Sequence, residues 1–333
     1  MMTNGQDTPK TLLEAVKYYA DFEHCEAVMI EALWPDGIVR CPTCGSDHVK
    51  YMENTRRWKC YAKHSRPQFS LKVGTIFEDS PLGLDKWLVA VWLLADSKNG
   101  ISSYELGRAL GVTQKTAWFM LHRVRKAMQA GTFLKLDGEV EVDETFIGGK
   151  ARNMHVAQRQ RRITGTGGTD KTAVMGIVKR GGEVRAVVVP DRKKQTLHAQ
   201  VEENVQAGAA LYSDDLRSYD GLAGRYAHQV VDHAVEYVNG RVHTNTLENF
   251  WSLLKRGIHG TYVSVEPFHL HRYLDEQSFR YNNRKMDDAG RFKAVLSQIV
   301  DKRLTYEELI GKAALEKQRR EFSQEVETWK ANN

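Results

Sequence analysis

The stretch CPTCGSDH constrains the first part of this chain more tightly than any other feature: Cys41 and Cys44 stand two residues apart, with a glycine directly after the second. This is the shape of a zinc knuckle, in which backbone N–H groups turn toward two thiolates. Tetrahedral zinc then needs two more soft or borderline ligands, ordinarily one short hairpin later. In RRWKCYAKHSRPQFS the third cysteine is Cys60, but the position that would repeat the first spacing is Lys63, and His64 follows it. Cys41, Cys44, Cys60 and His64 together make a three-thiolate, one-imidazole site for structural Zn²⁺, with His48 as a weaker candidate for the last ligand. Cys25, in FEHCEAVMIEALWP, reads as core packing. A module this small buries too little surface to fold alone, so zinc must supply much of its stability. Its basic hairpin, with Lys50, Arg56, Arg57, Lys59 and Lys63, either lies on phosphates or forms a solvated charged face.

The whole chain has 333 residues, 41% apolar and 27% charged, which is ordinary for a soluble folded protein of two or three domains. Its longest apolar stretch, WLVAVWLLA, falls far short of the roughly 20 residues a membrane span requires. The N-terminal MMTNGQDTPK lacks the apolar core of a signal peptide, so a cytoplasmic, nucleoid-associated protein is expected, with its thiols on metal rather than in disulfides. A net charge of +6 favours a polyanionic partner, nucleic acid first among them.

From 84 to 128 the periodicity is helical. LDKWLVAVWLLADSKNG ends at Gly100, and ISSYELGRALGVTQKTAWFMLHRVRKAM reads as two helices around a tight turn. Ser102 with Glu105 forms a capping box, Leu106 and Leu110 face inward, Gly111 permits the turn, and Thr113 caps the next helix. A helix-turn-helix lays its second helix in a major groove. Gln114, Lys115 and Trp118 are then the base-edge readers, with His122, Arg123, Arg125 and Lys126 on phosphates. A helix pair with no role in DNA binding is the alternative.

After GTFLKLDGE the texture turns to β. VEVDETFIGG alternates as a strand, KTAVMGIVKR and EVRAVVVP form a hairpin, a helix follows from about 195 to 206, and AALYSDD and HQVVDH read as further strands before the helix TLENFWSLLKRG. Three strands, a helix, a strand, a short helical segment, a strand and a helix is the order of an RNase H-like fold with a mixed sheet. The expected architecture is therefore multi-domain, α+β with α/β: a helical lead-in and zinc ribbon over 1–80, a helix-turn-helix over 81–130, a catalytic domain over 137–300 and a C-terminal helical tail over 301–333.

That fold sets the first strand beside the strand ending at Asp214, which brings Asp143 and Asp214 together, and a carboxylate from the last helix, Glu248, completes the cluster. Asn245 followed three residues later by Glu248 also resembles a capping box, so Glu248 has a purely local reading as well. Three converging carboxylates repel one another, and the usual reason to tolerate that is divalent metal, here two Mg²⁺ (or Mn²⁺) bridging a phosphodiester. Glu248 is then a ligand and the capping role passes to Asn245 or Thr246. Lys255, two turns further on the same helical face, either holds DNA near the metals or is an ordinary cation near a helix C-terminus. Glu144 and Asp215 are the alternatives to the two aspartates. Between the first two strands, Lys150, Arg152, Arg159, Arg161, Arg162 and Lys171 face a single acid, Asp170, and read as a loop that orders on nucleic acid, with a merely solvated loop as the alternative.

The segments RWKC…FSLKVGTIFEDSPL, VDETFIGG, YSDDLRSYDGL, HTNTLENFWSLLKRGIHGTY and YLDEQSFRYNNR resemble the ISXO-like branch of bacterial insertion-sequence transposases, which carry an N-terminal zinc ribbon and a DDE catalytic domain. The resemblance implies metal-dependent DNA strand cleavage and strand transfer at terminal inverted repeats. It puts the three acids on Asp143, Asp214 and Glu248 and the trailing lysine on Lys255, with Asn245 or Asn249 as competitors where relatives use asparagine. Two departures stand out: the fourth ribbon ligand is displaced to His64, and Leu216 stands where an aromatic often follows the second acid. Double-stranded DNA is the implied partner, and two ends must meet, so a homo-oligomer on DNA is expected. The rival readings are a non-catalytic zinc and helix-turn-helix regulator derived from a transposase, and a structure-selective nuclease of the same fold.

Overall fold

The computed structural model describes residues 8–129, 134–148, 155–157, 171–231 and 243–312. The chain divides into two compact units: Met1–Asp96 with Ser102–Ala127 and Asp287–Asn333, and Ser97–Ile101 with Met128–Met286. Among the described residues no helix is long and apolar enough to cross a membrane.

In the first unit, α1 (Leu12–Tyr19) starts on a complete capping box between Thr11 and Glu14, and α2 (Phe22–Leu33) is capped by Asp21. Cys25 is fully buried in α2, and its thiol donates to the Tyr19 carbonyl. An antiparallel sheet of β1 (Val49–Met52), β2 (Arg57–Cys60) and β3 (Gln68–Phe69) follows. In β2 the period of two buries Trp58 and Cys60 and exposes Arg57 and Lys59, so one face carries the core and the third thiolate while the other carries charge. The helix α3 (Leu84–Asp96) is apolar almost all round and buries Leu84, Trp87, Leu88, Ala90, Val91, Trp92, Leu94 and Ala95, as a central helix must. Then α4 (Ser103–Leu110) starts on Ser102, whose hydroxyl accepts from the Glu105 N–H. It stops at Gly111, which adopts the left-handed conformation (φ 63°) that a side chain would resist. Thr113 accepts from the Thr116 N–H and opens α5 (Gln114–Ala127).

The second unit is built on a five-stranded mixed sheet. Its strands are β4 (Glu139–Ile147), β5 (Thr172–Lys179), β6 (Val184–Val189), β7 (Ala210–Asp214) and β8 (Ala227–Val231), in the order β6-β5-β4-β7-β8. The first three pair antiparallel, and β7 and β8 run parallel to β4. Connecting β6 to β7 is α6 (Lys194–Asn204); after β8 come α7 (Asn245–Arg256) and α8 (Leu270–Asn282). Each sheet face has its own core. Val140 and Val142 of β4 join Leu197 and Val201 of α6, while Ile147 joins Leu247, Phe250, Trp251 and Leu254 of α7. Strand alternation therefore turns Glu141 and Asp143 toward α7 and Glu144 toward the α6 face.

The chain then returns to the first unit as α9 (Asp288–Leu296) and α10 (Tyr306–Leu309). Phe292 meets Tyr19 at 5.4 Å and Trp92 at 5.2 Å between ring centroids, and Arg291 lies 3.5 Å from Asp96. Phe292, Val295 and Leu296 are the buried residues of α9, and Phe292 packs on α1 and α3. The ribbon and the helix pair both lie in the first unit.

Candidate metal centres

The sulfur atoms of Cys41, Cys44 and Cys60 and the imidazole of His64 offer four ligand atoms that all lie within 4.8 Å of one another. Cys41 Sγ is 3.5 Å from His64 Nε2, and Cys44 Sγ is 3.7 Å from Cys60 Sγ. The knuckle makes thiolate formation easier at Cys41: burial pushes its pKa up, but hydrogen bonds from the N–H groups of Thr43 and Cys44 and from the Cys44 and Cys60 thiols bring the net direction down. His64 Nδ1 accepts from the Arg66 N–H at 3.2 Å, which leaves Nε2 to face the sulfurs. Four protein ligands fill a tetrahedron, so the set fits a closed structural Zn²⁺ site. His48 is not among the four; its ring packs on Tyr61, 5.0 Å between centroids.

The acidic centre is assembled differently. Extending the parallel register Glu141↔Tyr212 by two residues sets Asp143 beside Asp214 at the ends of neighbouring strands. Glu248 stands exposed in the first turn of α7, and Lys255 lies two turns on, half-buried. Asp143 Oδ2 accepts from Trp251 Nε1 at 2.9 Å and Oδ1 accepts from the Glu144 N–H at 2.8 Å. Burial pushes the Asp143 carboxyl up to about 6; the Trp251 hydrogen bond opposes this, and the charges of Asp214 and Glu248 add to it. Asp214 and Glu248 therefore both act on Asp143 from elements far apart in the chain. The three acids are not drawn as tightly as the sulfurs, since among the described residues the thiolate set alone has all its donors within 4.8 Å.

Glu144 points to the opposite sheet face, as strand alternation requires, yet it shares the field. Burial pushes it up to about 7; a hydrogen bond from the Tyr219 hydroxyl opposes the shift, and the charges of Asp214 and Asp143 add to it. Tyr219, fully buried, is itself held well above its ordinary range, first by burial and then by the Glu144 charge. Neither Tyr219 nor Trp251 stands out in the sequence; the available signal was an indole three residues after Glu248 and a phenol five after Asp214. The expected transfer of the cap to Asn245 or Thr246 also differs from what is found. Thr244, the N-cap of α7, makes no side-chain cap, and the N–H groups of Thr246 and Leu247 donate instead to Glu141 Oε2 of β4 at 3.0 and 3.2 Å.

Of the expected DNA contacts, Gln114 and Lys115 are exposed at the start of α5, with Gln114 Nε2 donating to Ser103 Oγ at 2.8 Å and Lys115 Nζ 4.7 Å from the Tyr306 ring centroid. Trp118 is half-buried, its ring edge-on to His122 at 4.7 Å. Arg123 is a correction: only 3% exposed, it donates to the carbonyls of Leu304, Ile76 and Glu78 at 3.0, 3.0 and 2.7 Å. A guanidinium so engaged braces α5 from within and has no face to offer a phosphate. His122 and Arg125 are buried as well. Arg159, Arg161 and Arg162, with Lys150 and Arg152, lie outside the described residues.

Residues 135–282 match the ISXO2-like transposase domain, and residues 21–62 match the transposase zinc-ribbon domain. The first match runs through β4 to the end of α8, and the second takes in Cys41, Cys44 and Cys60. The chain is similar to a protein in the transposable element ISH50 of Halobacterium salinarum, 28% identical over 252 residues, covering 72% of this chain and 84% of that protein. It is also similar to a transposase-like protein of Haemophilus influenzae, 30% identical over 105 residues, covering 31% of this chain and 85% of that protein.

Proposed function

The chain belongs to the ISXO2-like transposase family, and from that premise we propose that its acidic centre cuts and joins DNA with two divalent ions. Asp143, Asp214 and Glu248 are the carboxylates that hold them, and Lys255, on the same flank of α7 as Glu248, holds a DNA phosphate alongside. Mg²⁺, hard and oxygen-seeking, supplies activation of the attacking hydroxyl on one side of a phosphodiester and charge stabilisation of the leaving oxygen on the other; Mn²⁺ can do the same. The indole N–H of Trp251 fixes Asp143 Oδ2, so this carboxylate enters the centre in one rotamer. Desolvation of Asp143 together with its like-charged neighbours disfavours three free carboxylates and so favours bound cations.

The strand order β6-β5-β4-β7-β8, antiparallel then parallel, supports an RNase H-like catalytic fold. The turn at Gly111 between two capped helices supports a helix-turn-helix, with Gln114, Lys115 and Trp118 toward bases. Arg159, Arg161 and Arg162 contact DNA phosphates. The substrate is double-stranded DNA at terminal inverted repeats, and two ends held together call for a homo-oligomer.

One observation carries the catalytic reading: charges on β7 and α7, remote in sequence, both act on the Asp143 carboxyl of β4. The test is cleavage of a duplex bearing the element end in Mg²⁺. Asp143→Asn is expected to lower the rate about a thousandfold, or ~4 kcal/mol of transition-state stabilisation, with end binding retained. Equal nicking by the variant would sink the assignment.

A further inference from the structure

Glu141 is fully buried, a position a carboxylate rarely takes without partners, and here it has them on every side. Its Oε1 accepts from Arg180 Nε at 2.7 Å and from the Thr246 hydroxyl at 2.9 Å, and its Oε2 accepts the two α7 N–H groups described above. Arg180 is held in turn by donating to the His243 carbonyl at 2.7 Å and by lying 4.1 Å from the Tyr212 ring centroid. An anion at a helix N-terminus meets unsatisfied N–H donors and the positive end of the helix dipole. In α7 that anion comes from a strand more than a hundred residues earlier.

Two residues of the same strand thus hold the same helix. Glu141 grips the start of α7, and two residues along β4 Asp143 takes the indole of Trp251, one turn further along the helix. Two points of attachment fix both the translation and the rotation of α7, and Glu248 lies between them. Glu248, the fourth residue of the helix, stays exposed, while the Thr246 and Leu247 N–H groups before it are already taken by Glu141.

We propose that Glu141, through its hydrogen bonds to Thr246 and Leu247, is a positioning residue that sets Glu248 against Asp143 for divalent-ion binding. It touches neither DNA nor the ions. The inference rests on the two-ion reading of the acidic centre.

The test uses the full-length, zinc-loaded protein and Mn²⁺ binding followed by electron paramagnetic resonance, below the onset of thermal unfolding. Glu141→Gln is expected to weaken Mn²⁺ binding about tenfold, the range found when outer partners of metal ligands are removed, and to release the protection of the Thr246 and Leu247 amides against hydrogen exchange. Thr246→Val is expected to weaken binding about threefold by the same route, and Thr246→Ser, which keeps the hydroxyl, to restore it. Folded Glu141→Gln with wild-type Mn²⁺ affinity and wild-type amide protection overturns the proposal. Should Glu141→Gln fail to fold, the valine and serine variants decide alone, and equal affinity in both counts against it. Failure of the two-ion reading is separately visible: Asp143→Asn would then leave Mn²⁺ binding unchanged.

Discussion

The two candidate metal centres solve the same electrostatic problem by opposite routes. In the ribbon, Cys41 and His64 are 23 residues apart in sequence, and the knuckle's own N–H groups draw its first sulfur toward the thiolate form. The acidic centre joins Asp143 to a helix 108 residues away, and its fixing groups, Trp251 and Glu141, come from the tertiary fold. A site closed by four local ligands contributes its binding energy to folding. An open site made of mutually repelling carboxylates subtracts from stability, and the rest of the fold must carry that burden.

Removing zinc gives the largest effect expected from this contrast. Stripping the ribbon with a chelator, or Cys44→Ser, removes a metal whose binding in small zinc modules is worth on the order of 10 kcal/mol. Amides of β1 to β3 are expected to lose exchange protection while those of β4 to β8 keep theirs. Equal protection of the ribbon without zinc would erase the distinction between the two sites.

Packing beneath the acidic centre is the next lever. Gly176 pairs with Asp143 across β4 and β5, and a Cβ there would sit 2.5 and 2.7 Å from the Trp251 ring. Gly176→Ala should therefore cost about 2 kcal/mol in a denaturant melt and displace the indole from Asp143, quenching or shifting tryptophan fluorescence. An unchanged melt would mean that the indole has room to give and that the second anchor of α7 is loose.

The smallest effect separates burial from metal chemistry. Asp96, in the first unit, is pushed up to about 7 by burial and then by the Asp288 charge. Its folded pKa lies above its unfolded value of about 3.9, so between those two pH values the folded state holds a proton that the unfolded state has released. The resulting stability is present below about pH 4 and lost as pH rises through 7. Asp96→Asn should be about 1 kcal/mol more stable than the parent at pH 8, allowing for partial solvent screening, and no different at pH 4. A parallel pair of stability curves would show that Arg291 fully compensates the buried charge.

Local patterns carried much of this protein into view. The cysteine spacing, the apolar circumference of α3, the Gly111 turn and the alternation in β4 each involve neighbours in sequence, where hydrogen-bond geometry and side-chain period act directly. The same alternation nominated Asp143 and sent Glu144 to the other face. Periodicity gives the buried face of a helix without saying what covers it. On α5 that left Arg123 looking like a phosphate contact, when three carbonyls from two remote segments surround it. On α7 it left Glu248 as a credible cap, because the competing cap, Glu141, lies on a strand in another part of the chain.

By itself, then, the sequence determined the zinc ligands, the element order and the acids available for an ion-binding centre, all of which follow from spacing and local backbone preference. Tertiary structure alone decided which carboxylate caps α7 and which faces the centre, which cation is buried, and which unit receives α9. Those outcomes depend on desolvation and on close packing between surfaces distant in sequence, energies that exist only once the chain has closed on itself.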